Sequence, residues 1–145
     1  MNIKFAKAVI YVLALILIIN YSTVFLGQVA GFFVLRGKSI DDLIQLLKIH
    51  PRYPQLLYFG AISGLITSPI YIITGINLLR LRYWARKLLI WFIPLMFVVD
   101  IVYLFLVDML NKSTSTTLIV DLVIWFILLN RDIAGQFEQG QHSTL

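Results

Sequence analysis

Long apolar stretches separated by short polar segments set the pattern of this chain. A helix needs about 20 mostly apolar residues to cross the hydrocarbon core of a membrane. Four stretches approach or exceed that length, at 5–27, 56–79, 88–107 and 116–130. The first stays apolar as far as Leu35, and the last is short enough to need polar flanking residues.

Lipid satisfies no backbone polar group, so helices are the expected form of all four stretches. The pattern therefore predicts an all-α, polytopic membrane protein, an integral membrane protein built as a four-transmembrane-helix bundle. A single domain covers residues 1–137, and a polar C-terminal tail follows at 138–145.

The first apolar stretch follows Lys4 and Lys7, as the core of a secretory signal peptide would. Its apolar run is too long for a signal peptide, and no small-x-small cleavage site follows it. We expect a retained membrane span.

The segment between the first two spans has a helical pattern of its own. Ser39 and Asp42 form a capping-box-like start, and apolar residues then recur at helical spacing at Ile40, Leu43, Ile44 and Leu47. The pattern predicts a short amphipathic helix at about 39–50, lying on the membrane surface. A lid, or a docking surface for a partner, is the alternative interpretation.

His50 and Arg52 close this segment and could form an anion or proton site. Histidine titrates near neutral pH, which is why it is considered. No second ligand is visible beside His50, so a metal site is not expected.

Composition strengthens the membrane interpretation. The chain is 60% hydrophobic and 13% charged, with a mean hydropathy of +0.90, against roughly 45–50% and about 25% in soluble domains. It has no Cys, which excludes disulfides and thiolate metal sites. The net charge of +5 is typical of cytoplasmic loops that meet anionic lipid, so membrane lipids rather than nucleic acid are the expected contacts.

The distribution of Lys and Arg predicts the orientation. With four spans, one side of the membrane holds seven of these residues: Lys4, Lys7, Arg80, Arg82, Arg86, Lys87 and Arg131. The other side holds five: Arg36, Lys38, Lys48, Arg52 and Lys112. We therefore expect both termini in the cytoplasm, at a bacterial inner (plasma) membrane. The residues expected to contact headgroups are Arg80, Arg82, Trp84, Arg86 and Lys87.

Small residues mark the helix faces that can approach closely in a membrane. The first span has Gly27 and Gly31, and the second has Gly60 and Gly64 in a GxxxG pair. These glycines predict that the first two spans pack together. Pro69 and Pro94 are expected to bend the second and third spans and to free backbone carbonyls.

Asp100 lies inside the third apolar stretch, where a charge costs at least about 2.5–3.5 kcal/mol. Counting about 1.5 Å per residue from the predicted span ends places one polar residue of each span at a similar depth. This predicts a buried polar layer of Asn20, Ser63, Asp100 and Asp121. Two neighbouring carboxylates resist double ionisation, so at least one is expected to hold a proton near neutral pH. The layer has three interpretations: structural hydrogen bonding, a proton or cation site, or a site that orients a ligand.

Two further segments resemble a known family. GINLLRLRYWARKLLI, from Gly75 to Ile90, and LNRDIAGQF, from Leu129 to Phe137, are similar to motifs of small bacterial four-helix membrane proteins of uncharacterised function. In that family a proline follows the arginine of the last helix, whereas Asp132 follows Arg131 here. The resemblance covers the second half of the chain. It implies a tight cytoplasmic turn at Trp84-Ala85-Arg86 and no particular chemistry.

The sequence has no metal-binding His/Glu motif, no Gly-rich phosphate loop and no Ser/His/Asp arrangement on one face. We therefore expect no cofactor and no metal, and an enzyme is the least favoured hypothesis. The leading hypothesis is a non-enzymatic accessory, assembly or oligomeric structural component with a homo-oligomeric or protein partner in the membrane. The alternative is a small proton- or cation-coupled transport module, or a lipid- or quinone-binding protein, that uses the polar layer.

Overall fold

The computed structural model describes residues 3–47, 56–107 and 112–142, and this part of the chain is α-helical, with no strand. In chain order the helices are α1 (Ile3–Leu35), α2 (Ile40–Leu47), α3 (Leu56–Leu79), α4 (Tyr83–Val107), α5 (Lys112–Leu129) and α6 (Arg131–His142). The all-α prediction is confirmed. His50 and Arg52 lie outside the described residues.

Three helices are long and apolar enough to cross a membrane, which marks the chain as a membrane protein. Their apolar parts are Lys4–Phe33 of α1, Ile62–Leu79 of α3 and Tyr83–Leu106 of α4. The apolar part of α5, Leu118–Leu129, is shorter. Helix α4 begins at Tyr83, five residues before its predicted start, and this shift changes the depth of every residue counted along it.

Helices α1 and α3 pack antiparallel, and glycines of α3 set how closely they approach. A Cβ on Gly75 would lie 2.9 Å from Ile18 Cγ1, and a Cβ on Gly64 would lie 3.0 Å from Gln28. A larger residue at Gly75 would press on Ile18 and on the backbone carbonyl of Ala14, at 3.3 Å. At Gly64, by contrast, the flexible Gln28 side chain would have to shift. The predicted contact between the first two spans is present, but α1 meets these glycines with Ile18 and Gln28 rather than with its own glycines.

Helix α4 lies on the other side of α3. Gly60 leaves room for the hydroxyl of Tyr103, and the Tyr71 ring lies 5.2 Å from the Phe92 ring. Antiparallel pairs at 60 with 103 and at 71 with 92 fix one register between the two helices. The α3 glycines therefore accept side chains from both neighbouring helices.

Proline in α4 creates the contact that holds α5. Pro94 has no N–H, so the carbonyl of Ile90 loses its helical donor. The indole Nε1 of Trp125 donates to that carbonyl at 2.9 Å. In the last turn of α5, the carbonyl of Leu128 accepts from Arg86 Nε at 3.0 Å. Both bonds supply donors that lipid cannot, and both join α4 to α5.

The turn between α3 and α4 closes with a paired C-cap. The N–H of Leu81 donates to Leu78 O at 2.9 Å, and the N–H of Arg82 donates to Asn77 O at 3.0 Å. This pattern is a Schellman motif, which needs a left-handed residue at the first of the two donors. Leu81 adopts it with a φ of 51°. The side chain of Leu81 packs against the buried core, a contact that glycine could not make.

Helix α6 is the element that the sequence analysis did not predict. Asn130 begins it as the N-cap, since its Oδ1 accepts from the N–H of Asp132 at 2.9 Å. Ile133, Gln136 and Phe137 then bury one face, with Ile133 and Phe137 each 1% exposed or less. The predicted polar tail from residue 138 is helical as far as His142.

The buried core lies at the end of the bundle where α6 packs. Register with α3 places the first turns of α1 beyond the end of α3, and α6 contacts α1 there as well as α4 and α5. The core residues at this end come from every described helix except α2: Ala6, Ile10, Leu13, Leu78, Ala85, Leu89, Leu128, Ile133 and Phe137. We call this the base of the bundle.

Helix α2 begins with the predicted capping box. The N–H of Ser39 donates to Asp42 Oδ2 at 3.1 Å, and the N–H of Asp42 donates to Ser39 Oγ at 3.2 Å. The predicted start of this helix is confirmed. These two bonds hold the pKa of Asp42 below its usual value of 3.8, because they favour the charged carboxylate.

We expect Phe137→Ala to detach α6 from the base, because it removes a fully buried aromatic side chain. Such changes cost about 3–5 kcal/mol in protein cores. Hydrogen exchange of 131–142 in detergent micelles should therefore accelerate by at least two orders of magnitude. Glu138→Ala, at an exposed neighbouring position, should leave exchange unchanged. Equal protection in the two variants would contradict the docking of α6.

Helix α2 should lose protection from hydrogen exchange in acid. A carboxylate with a lowered pKa in the folded state stabilises the helix above its unfolded pKa of about 4. That contribution disappears as pH falls through the lower folded pKa. Exchange corrected for the intrinsic rate should rise several-fold between pH 5 and pH 2 in the wild type. The rise should be absent in Asp42→Ala, which already lacks the bond.

Candidate functional site

A hydrogen bond between α1 and α5 defines the candidate site. The hydroxyl of Tyr21 in α1 donates to Asp121 Oδ2 in α5 at 2.6 Å. Helix α1 packs on α3, α3 on α4 and α4 on α5. The Tyr21 side chain therefore links helices that are not neighbours in this series. Asp121 is only 4% exposed.

Tyr71 of α3 is the third residue of the site and packs against Tyr21. Its ring stacks on that of Tyr21, with centroids 3.9 Å apart and planes within 8°. Phe92 packs on the far side of Tyr71. The Tyr71 hydroxyl lies beside the Tyr21 hydroxyl and near Asp121, but the geometry completes a hydrogen bond to neither. We refer to Tyr21, Tyr71 and Asp121 as the tyrosine–aspartate cluster.

The cluster lies near the middle of the bundle. Tyr71 and Asp121 each precede the last residue of their helix by eight positions, which is about 12 Å at about 1.5 Å per residue. The α1–α3 register places Tyr21 at the same height. A group at that height is deep within a hydrocarbon core of about 30 Å.

Several polar atoms here have no hydrogen-bond partner among the described residues. They are Asp121 Oδ1, Tyr71 Oη and Ser68 Oγ. Ser68 lies one turn from Tyr71 on the same face of α3 and is fully buried. Groups that donate or accept hydrogen bonds are costly to bury unpaired. Three such groups in one place therefore need an explanation other than packing.

The structure brings together part of the predicted polar layer. Asp121 is at its centre, and Asn20 precedes Tyr21 with a buried Nδ2 that has no partner among the described residues. Asp100 is half-buried, and the pairing of 60 with 103 and of 71 with 92 places it level with residue 63, about 12 Å above Tyr71. It interacts with Asp121 and Tyr71 only by long-range electrostatics. Ser63 also lies above the cluster, since it precedes Tyr71 by eight residues, or about 12 Å. Its hydroxyl donates to Gly60 O at 3.0 Å.

The sequence analysis missed the residues that give the cluster its geometry. Tyr21, Tyr71 and Ser68 were each present in predicted spans, but tyrosine and serine are common there. The antiparallel register of α1 and α3 would have indicated the tyrosines, because Gly64 lies opposite Gln28 and Gly75 lies opposite Ile18. That register places Tyr71 level with Tyr21.

The predicted packing glycines separate into two groups. Gly60 and Gly64 contact other helices of the bundle, as described above. Nothing in the described structure lies within 4 Å of a Cβ built on Gly27 or Gly31. Among the described residues, the predicted packing role of these two glycines is therefore not fulfilled. With exposed Thr23 they form a small-residue face on the half of α1 away from the base.

The predicted headgroup residues gather near the base. Arg80, Arg82 and Lys87 are exposed, and Trp84 is 45% exposed. Arg86 differs because its guanidinium turns inward to the carbonyl of Leu128. A cation at that position also complements the negative end of the α5 dipole. Arg86 thus helps to hold the bundle together.

An apolar groove of about 300 Å³ lies between α3 and α4, in the half of the bundle away from the base. It is lined by Phe59, Val98, Val99, Val102, Tyr103 and Leu106. A lining of this kind matches hydrocarbon rather than a polar ligand.

Comparison of the chain with protein-family models, with curated proteins and with solved structures finds no match. Function must therefore be argued from the residues themselves.

We expect Tyr21→Phe to destabilise the bundle while it preserves the ring stack. The change removes only the donor to Asp121 Oδ2 and leaves a buried acceptor unsatisfied, at a cost of about 1–3 kcal/mol. Thermal unfolding in detergent, followed by tryptophan fluorescence, should show a Tm lower by several degrees.

Tyr11→Phe provides the matched control, because Tyr11 lies on α1 and is 42% exposed. Its Tm should equal that of the wild type. If both variants unfold at the wild-type temperature, the Tyr21–Asp121 bond does not stabilise the bundle.

Proposed function

We propose that this chain is a four-span, non-enzymatic membrane component that acts as an assembled oligomer through the outer half of α1. The observation that carries the proposal is the exposed small-residue face at Gly27 and Gly31. Other glycines in membrane-crossing helices, at 60, 64 and 75, receive side chains of the same chain. These two receive none from the described residues.

The proposal treats α5 as the fourth span. Its 18 residues extend about 27 Å at about 1.5 Å per residue, close to a core of about 30 Å. Its contacts to α4 at Trp125 and Arg86 hold it antiparallel to a helix that is itself long enough to cross. Polar residues from Lys112 to Thr117 would then lie in the outer interface.

The orientation is proposed with both termini in the cytoplasm of a bacterial cell, at the inner membrane. Helix register places the basic residues of the first turns of α1 at the same end as the α3–α4 turn and the start of α6. Exposed Arg80, Arg82 and Lys87 there support contact with anionic headgroups, at about 1 kcal/mol for each basic residue. Helix α2 would lie at the opposite surface.

A second copy of this chain is the partner that the α1 face suits best. Thr23, Gly27 and Gly31 repeat every fourth residue, which is the small-xxx-small arrangement that lets two identical helices cross closely. A two-fold axis through this face makes the same surface serve both copies, so the contact closes as a dimer. Exposed Leu26 and Phe33 point away from the glycines, since each lies at least about 100° around the helix from them.

We expect Gly27→Leu and Gly31→Leu to weaken self-association without harming the fold. Nothing within the described chain opposes a side chain at either position. Replacing glycine by leucine also favours the helix by up to about 1 kcal/mol. Fluorescence energy transfer between labelled copies in liposomes should show a dissociation constant raised at least about tenfold, equal to about 1.4 kcal/mol.

Leu26→Trp is the control, because it adds bulk to an exposed position on another face of the same helix. Its dissociation constant should match that of the wild type. Wild-type chains that remain monomeric at high protein-to-lipid ratio would overturn the proposal. So would a Gly27→Leu variant that associates as well as the wild type.

A further inference from the structure

We infer that the tyrosine–aspartate cluster binds a small monovalent cation, with sodium as the probe of choice, between Asp121 Oδ1, Tyr71 Oη and Ser68 Oγ. These oxygens come from α3 and α5, and Tyr21 of α1 holds the carboxylate in place. The inference does not depend on self-association through α1.

The first step concerns the charge of Asp121. The O···O distance of 2.6 Å to Tyr21 lies in the range of charge-assisted O–H···O⁻ bonds, which is about 2.5–2.7 Å. In that bond the tyrosine donates and the carboxylate accepts. An ionised carboxylate that is 4% exposed needs a compensating positive charge.

The second step is that the chain supplies no such charge at this depth. The sequence has no Lys, Arg or His between Lys7 and Arg36, between Arg52 and Arg80, between Lys87 and Lys112, or between Lys112 and Arg131. The basic residues nearest to Asp121 in sequence are Lys112 at the start of α5 and Arg131 at the start of α6, nine and ten positions away or about 14 Å along a helix. Asp100, about 12 Å above Tyr71 by helix register, is not part of this donor set.

The third step is the set of unpaired oxygens. Tyr71 is 2% exposed and Ser68 is 0% exposed, and neither hydroxyl has a hydrogen-bond partner among the described residues. Hydroxyl and carboxylate oxygens are ligands that hard cations prefer. Side chains of α3 and α5 lean towards the N-terminal ends of their helices, which lie at the same end of the antiparallel bundle. Ser68, one turn above Tyr71, lies in the direction to which the Tyr71 and Asp121 side chains point.

The fourth step selects the charge of the ion. One carboxylate with two neutral hydroxyls balances a single positive charge. Calcium sites usually combine several carboxylates with six to eight oxygens in total. No group of three or more acidic or histidine side chains that could hold a metal occurs in the described part of the chain. A monovalent cation therefore fits this donor set better than a divalent one.

The test measures stability and binding as sodium varies at fixed pH and ionic strength. Purified protein in detergent is titrated with sodium chloride, and choline chloride replaces the missing salt. The Tm of the wild type should rise by about 3 °C or more near saturation, because a ligand that binds only the folded state stabilises it. Isothermal titration calorimetry with sodium chloride gives the dissociation constant directly.

Three variants assign the effect to the cluster. Asp121→Asn should abolish the sodium response, because it removes the charge and keeps the size of the side chain. Tyr71→Phe, which keeps the ring stack, and Ser68→Ala should each raise the dissociation constant at least tenfold. Tyr11→Phe should respond as the wild type does.

Two outcomes overturn the inference. One is an equal effect of sodium, potassium and choline chlorides on the wild type, which would reflect ionic strength alone. The other is a sodium response that survives in Tyr71→Phe and Ser68→Ala with an unchanged dissociation constant. These two variants keep the test decisive even if Asp121→Asn does not fold.

Discussion

The hydrogen bond from Tyr21 to Asp121 is the interaction on which the middle of this bundle depends. A carboxylate in hydrocarbon must find its solvation in the protein, because lipid offers none. Tyr21 reaches from α1 to α5, although these helices are separated by α3 and α4 in the packing series. The stack on Tyr71 fixes the direction of that reach, and Phe92 supports Tyr71 from α4. One acidic residue therefore recruits side chains from all four long helices.

The same requirement for internal donors explains how the rest of the bundle is joined. Pro94 leaves the carbonyl of Ile90 without its helical donor, and the indole N–H of Trp125 donates to that carbonyl instead. Helix α5 ends with open carbonyls, and Arg86 satisfies one of them. In water these carbonyls would accept hydrogen bonds from solvent. In a membrane they need donors from the protein, so each hydrogen bond joins one helix to another. The base is further closed by α6, whose apolar face fills the space beside the first turns of α1.

The helices themselves could be predicted from the sequence because hydropathy and length decide them. The range 56–79 agrees with α3, and the capping pair Ser39 and Asp42 correctly placed the start of α2. Helix α6 was missed because Asn130 and the spacing of Ile133, Gln136 and Phe137 lie in a polar segment, where hydropathy gives no signal. The polar layer was only partly predictable, since depths counted from the span ends placed Ser63 and Asp100 level with Asp121, whereas the α3–α4 register places both of them higher. Side-chain direction and interhelical register, which bring Tyr71 to Asp121 and leave Ser63 apart, are set by packing and do not follow from one helix alone.

Helix α1 contacts both proposed sites, through Tyr21 on one face and through the glycines on another, and that arrangement constrains how the sites can influence each other. One face holds Ala14, Leu17 and Tyr21 against the bundle, and the other presents Gly27 and Gly31. Along the axis, the glycines lie about 9 to 15 Å from Tyr21. A cation that fixes Asp121 also fixes Tyr21, and through it the tilt of α1 on which a close glycine crossing depends. Because coupling between two binding equilibria is reciprocal, any effect of the cation on association must equal the effect of association on cation affinity. A measured coupling of zero would mean that α1 is already held rigidly by its contacts with Gly64 and Gly75.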